Sequence, residues 1–175
     1  MRDRGRMSLL ARQNNRSRVR PAFIRSLERA LGRQVDIPDF LGFEVTDELT
    51  EFVRMSYDVG KRGVEPSFVG SFSRTEEAGL FAWLGCFAGE IRPQQMALLF
   101  RQSKDCGALS IGAEEFFAHS RALLGVDGDG LTAVSESRGD CLVLDFSPED
   151  ETHCFELVIC GPVWPVQFLL CRDKR

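Results

Sequence analysis

No stretch of this 175-residue sequence is long and apolar enough to cross a bilayer: the best candidate, AGLFAWLGCFAG at 78–89, falls far short of the roughly 20 residues a spanning helix needs. The common catalytic signatures are also missing, with no phosphate loop, HExxH, GxGxxG or zinc-type cysteine spacing, so an enzyme built on a familiar motif is not expected. GALSIG at 107–112 sets its serine one residue too late for a GxSxG elbow. Histidine occurs twice. His119 follows Glu115 by four residues on a helical pattern, the spacing of a surface pair, whereas His153 and Cys154 are chain neighbours that a strand would point to opposite faces.

No CxxC pair joins the six cysteines, Cys86, Cys106, Cys141, Cys154, Cys160 and Cys171, and no secretory leader precedes them. Several lie inside apolar runs, where a free thiol behaves as a small hydrophobe, and the expectation is a reduced cytoplasmic protein. Cys106, in the turn KDCG, is the thiol expected to be most exposed and the only candidate nucleophile. Asp39 and Glu44 in PDFLGFEVT have the look of a metal-nuclease carboxylate pair, but Thr46 stands where the lysine of such sites would be. An enzyme centred on Cys106 or on Asp39 and Glu44 is one alternative reading.

What is present is ordinary for a folded chain: 43% hydrophobic and 27% charged residues argue against wholesale disorder, and the length fits one domain. The net charge of −4 conceals a split. Residues 1–34 hold ten arginines against Asp3 and Glu28. Residues 1–20 lack an apolar period and read as a disordered basic arm ahead of a single domain at 21–175. If that arm functions, its chemistry suits nucleic acid, which makes an adaptor the second alternative.

Ordered structure is expected from Pro21, with Phe23, Ile24, Leu27, Ala30 and Leu31 at helical spacing. Thr46 is expected to cap a second helix, and the Ser73/Glu76 pair a third through Phe87; FVGSFS reads as a short strand. MALLFRQ and ALSI predict two strands around SKDCG. GAEEFFAHSRALLG predicts a helix with Ala113, Phe116, Phe117, Ser120, Leu123 and Leu124 on its inner face and its end at Gly125. Four strands then read as a meander: LTAVSES, GDCLVLDF, THCFELVICG and VWPVQFLLC. Pairing Phe146 with His153 and Leu144 with Phe155 aligns the two apolar faces of the central hairpin, and Pro165 puts the last strand at an edge. The fold class is α+β, with N-terminal helices packed on one face of a mostly antiparallel sheet that ends in a C-terminal meander.

GVDGDG at 125–130 invites a calcium reading, but counting from Asp127 a calcium loop would place Leu131, Thr132 and Arg138 at positions that need an oxygen ligand, a glycine and a glutamate. The turn therefore reads as a helix-to-strand connection, and neither a metal nor another cofactor is expected. Its acids belong to a larger set. Between 125 and 163 nine acids face one base, Arg138. Asp127, Asp129, Asp145, Glu149, Asp150, Glu151 and Glu156 are the candidate partner-binding residues, because an acidic field steers a basic protein partner.

The segments KDCGALSIGAEEFFAHSRALL, DGDG, CLVLDF and FELVICGPVW, in a small acidic α+β chain, resemble as a class the immunity proteins that accompany bacterial polymorphic and contact-dependent toxins, over residues 35–175. The resemblance implies a non-catalytic protein that binds a cognate toxin domain, often a basic nuclease, and blocks its active site or an adjacent exosite.

Overall fold

The computed structural model describes residues 2–63, 66–91, 94–150 and 152–173. The chain is α+β, with helices packed against a six-stranded, wholly antiparallel sheet of order β1-β6-β5-β4-β2-β3. In chain order the elements are α1 (Arg2–Leu31), α2 (Phe43–Lys61), β1 (Ser67–Phe72), α3 (Glu77–Glu90), β2 (Gln95–Leu99), α4 (Ser103–Cys106), β3 (Leu109–Gly112), α5 (Ala113–Asp127), β4 (Gly130–Ser135), β5 (Cys141–Phe146), β6 (Phe155–Cys160) and α6 (Trp164–Asp173).

Alternation along the strands divides the interior in two. Leu142 and Leu144 of β5 and Leu157 and Ile159 of β6 join Leu27, Phe87, Phe116 and Trp164 in the larger core, which sets α1, α3, α5 and α6 on one face. Their strand neighbours Cys141, Val158 and Cys160 meet Leu49 of α2, so among the described residues α2 is the helix on the opposite face. Its close approach requires glycine, since a Cβ at Gly60 would sit 2.3 Å from the Cys160 sulfur. One helix cannot roof six strands, and the β4–β5–β6 ends beyond Val53 and Tyr57 stay open.

Residues 2–20, read from the sequence as a disordered arm, form the first part of α1, which runs through Pro21 to Leu31. Over residues 12–20 the inward side is mainly arginine, with Val19 against the larger core. Arg12 and Arg16 lie over the Phe43 ring at 4.4 and 5.1 Å, and Arg20 lies over Phe40 at 4.7 Å. Arg12 also donates both Nη atoms to the Asp47 carboxylate, at 2.7 and 2.9 Å, and its Nε to the Lys104 carbonyl. The guanidinium groups themselves lie over the rings, and the Nε atoms of Arg16 and Arg20 are buried with no hydrogen-bond partner among the described residues, a pattern that a count of apolar residues misses.

VWPVQFLLC forms no strand; it is the start of α6, with Trp164, Phe168 and Cys171 fully buried at helical spacing. Pro165 sits in the first turn, where its missing N–H costs nothing. The cap comes from afar: Asp140, in the β4–β5 turn, accepts the N–H groups of Val163 and Trp164, both at 2.8 Å.

Smaller shifts have local causes. Thr46 is no cap, because α2 begins at Phe43 behind Gly42; the buried hydroxyl instead donates to the Gly42 carbonyl and accepts the Ala108 N–H, both at 2.9 Å. The capping box at Ser73 and Glu76 forms as expected ahead of α3. All six expected inner-face residues of α5 are buried, but the helix ends at Gly128, in the left-handed conformation (φ 81°), rather than at Gly125. Asp127 is thereby carried into the last helical turn. In the β5–β6 hairpin Phe146 pairs with Phe155 and Leu144 with Leu157, two residues from the expected register. Asp150 folds the turn by accepting the N–H groups of Thr152 and His153 at 2.9 and 2.8 Å, which keeps both residues out of the ladder. A slip of two leaves every side chain on its expected face.

Candidate functional site

Where α2 stops covering the sheet, a groove of about 850 Å³ opens over the ends of β4, β5 and β6, bounded by α2 and by the last turn of α5. Its floor is a row across four strands in register: Ser71, Glu156, Asp145 and Gly130. Gly130 is required there, because a Cβ would meet the Leu144 carbonyl at 2.6 Å. Next to the row stand Asp127 and Asp129, so four of the seven predicted partner-binding residues, Asp127, Asp129, Asp145 and Glu156, line one groove.

Asp145 and Glu156 occupy directly opposite positions on neighbouring strands, an arrangement that like charges ordinarily destabilise. The Tyr57 hydroxyl sits between them, 3.2 Å from Asp145 Oδ2 and 3.4 Å from Glu156 Oε2, and Lys61 Nζ lies 2.6 Å from Glu156. Partial burial pushes the Asp145 carboxyl above its ordinary value, and Glu156 and Asp129 push the same way against the Tyr57 hydrogen bond and Lys61. Burial also raises the Tyr57 phenol. Asp127 is raised by burial and by Asp129, although its Oδ2 accepts the Arg101 N–H at 2.6 Å; its Oδ1 is buried with no hydrogen-bond partner among the described residues. Asp129 pairs with the exposed Arg101 guanidinium. The groove thus sets four carboxylates against two cations, Lys61 and Arg101, with His153 at its rim. Both cations come from outside residues 125–163, and they temper the acidic excess counted there.

The remaining candidates divide. Glu149 and Asp150 are exposed on the neighbouring β5–β6 turn, where Asp150 serves the turn itself and its carboxyl is held below its ordinary value by the His153 and Thr152 N–H groups. Glu151 lies outside the described residues. Asp140, counted in the acidic field, is only 4% exposed and belongs to the α6 cap. Glu115 does not pair with His119; Arg33 takes its carboxylate through Nε and Nη2.

Two sites weighed as catalytic lose their geometry. Cys106 is not exposed but fully buried at the end of α4, and burial pushes its thiol up, away from the nucleophilic thiolate. Leu41 is the cause: its N–H bonds the Ala108 carbonyl, and its own carbonyl lies 2.2 Å from where a Gly107 Cβ would be, so the α2 lead-in closes over the turn. Asp39 accepts the Asp36 N–H and pairs with Arg33 at 3.3 Å, while Glu44 is exposed in the first turn of α2. Among the described residues no group of three or more His, Cys, Asp or Glu side chains is arranged to hold a metal. No disulfide joins the six cysteines, and five of them are buried.

Sequence reasoning missed Tyr57, Lys61 and Arg101. The first two could have been found from α2 alone, since Phe52, Val53, Ser56, Tyr57 and Gly60 continue its inner face toward Lys61. Arg101 carries no such signal. No protein-family model matches the chain, and neither a curated protein nor a solved structure matches it.

Proposed function

We propose that the protein is an immunity-type inhibitor: it binds a basic protein partner, a cognate toxin domain, stoichiometrically in the cytoplasm, and receives a lysine- or arginine-bearing segment of that partner in the acidic groove. The observation that carries this reading is the convergence of Asp127, Asp129, Asp145 and Glu156 on one open groove, two of them with carboxyls raised by burial. A carboxylate held at such a cost to the fold is offset when a cation arrives, and complementary charge speeds encounter and selects the partner.

The test is affinity capture from the source cell with the wild-type chain and with the triple variant Asp129→Asn, Asp145→Asn, Glu156→Gln, followed by association kinetics at low and high salt. Each substitution keeps an acceptor atom in place and removes only charge. The expected result is a basic protein held one to one by the wild type, with association about tenfold or more slower for the variant at low salt and similar for both at high salt. Equal kinetics at low salt would remove the groove from the mechanism. One observation favours a second reading: a raised carboxyl beside an opposing carboxylate and a tyrosine is also an acid–base arrangement. Turnover of a small molecule, lost in Asp145→Asn, would decide for an enzyme.

A further inference from the structure

The two edges of the sheet are managed differently. At the β3 edge the strand is only four residues long, Phe40 bridges Leu109, and the Leu41 N–H bonds the Ala108 carbonyl. At the other edge β1 has, among the described residues, a neighbour, β6, on one side only. The Gly161 N–H reaches the Pro66 carbonyl at 3.3 Å, which fixes the phase of that ladder: Phe68, Gly70 and Phe72 exchange backbone bonds with β6, so the N–H and C=O groups of Ser67, Val69 and Ser71 point outward. Edge strands are ordinarily blunted by charge, proline or brevity. SFVGSF has six residues, no charge and no proline, and Val69 is 47% exposed at its centre.

The geometry points to β1 as the docking edge for a second copy of this chain, joined through antiparallel β1–β1 pairing about a twofold axis at Val69 into one continuous sheet. The strand is self-complementary in that register. Val69 faces the second copy's Val69, and Ser67 faces its Ser71, so every outward residue falls in a hydrogen-bonded pair. Phe68 falls opposite the second copy's Gly70. Within one chain the Phe68 ring already covers Gly70, lying 2.8 Å from where a Cβ would be, so each glycine stays shielded by its own chain's ring when the two strands pair. Charge assigns the edge to a copy of the chain rather than to the basic partner, because the strand is neutral while Glu156 and Asp145 lie one and two strands further in. The pairing leaves both acidic grooves on the same face of the joined sheet.

The experiment is sedimentation velocity on the full chain from about 1 to about 100 μM, a range that spans weak and tight homodimers, for the wild type, Val69→Lys, Val69→Glu and an equimolar mixture of the two variants. The expected wild-type mass is twice that of one 19.7 kDa chain. Each variant places like charges across the axis and is expected to raise the dissociation constant about 100-fold, with an unchanged far-ultraviolet spectrum. The mixture is expected to restore the dimer. Val69→Thr, which keeps a β-branched residue, is expected to remain dimeric and guards against a misfolded variant. A monomeric wild type, a dimer indifferent to both charged variants, or a mixture that stays monomeric would each overturn the inference. So would a monomer that loses its captured partner in Val69→Lys, because the edge would then belong to a strand of that partner.

Discussion

Replacing Asp145 with asparagine is expected to stabilise the protein while weakening its binding. Opposed residues in an antiparallel pair stand about 5.5 Å apart, and two unit charges at that distance repel by about 0.8 kcal/mol in bulk water and about 3 kcal/mol at the effective dielectric near a protein surface. Lys61 on Glu156 and the Tyr57 hydroxyl offset part of the repulsion between Asp145 and Glu156, and the groove is open to solvent. The low end applies, about 1 kcal/mol, or roughly 2–4 °C in Tm for a chain of this size. Asparagine keeps an oxygen for Tyr57. The pH dependence fixes the cause. A carboxyl raised in the folded state binds its proton more tightly there than in the unfolded chain, so its effect on stability is unfavourable at neutral pH and vanishes below the ordinary aspartate value near 4. The assay is thermal unfolding of wild type and variant from about pH 3.5 to 7, where the Tm difference should grow from near zero to its full value as pH rises through the raised carboxyl's range. A variant less stable than wild type at pH 7, or a pH-independent difference, would refute the account of the opposed pair.

Removing residues 1–20 is expected to cost about 2 kcal/mol in urea unfolding, the sum of three cation–π contacts and the Arg12–Asp47 pair; an unchanged midpoint would mean that the arginine stripe does not hold α1 in place. Asp140→Ala should destabilise by about 2–3 kcal/mol, because the Trp164 N–H loses its partner in a buried setting, whereas Asp140→Asn should recover about half of the loss. Cys106 should react with a maleimide at least about 100-fold more slowly in the native protein than in urea, read by peptide mapping; equal rates would show that the α2 lead-in opens readily.

The elements legible from sequence were those whose burial follows a local period. The α5 face, the β5–β6 alternation and the Ser73–Glu76 box depend on residues within a few positions of one another, and each appears in the structure on its expected face. The failures share the opposite property. α6 is set by Asp140, 24 residues away, and its Trp164, Phe168 and Cys171 pattern is short enough to pass for the end of a meander. Arg12, Arg16 and Arg20 of α1 set guanidinium groups rather than aliphatic side chains against Phe43 and Phe40, so hydrophobic periodicity has nothing there to detect. Cys106 looked exposed because its turn is glycine-bearing and polar, but the segment that buries it, Phe40 and Leu41, lies more than 60 residues earlier in the chain.

The candidate site was half legible, for a related reason. Counting charge along the chain named four acids that line the groove but overstated the acidic excess, because it could neither see Asp140 turned inward nor add Lys61 and Arg101. What the count could not supply was the opposition of Asp145 and Glu156, which depends on the β5–β6 register, and the expected pairing was displaced by two residues. That opposition distinguishes the groove from a solvated rim. Scattered surface acids relax away from one another at little cost, whereas Asp145 and Glu156 are fixed in register by the ladder, flanked by a glycine that keeps the floor open and bridged by a single tyrosine hydroxyl. A fold that needed only solubility would gain from asparagine at 145, and the retained charge makes sense where a cation completes it.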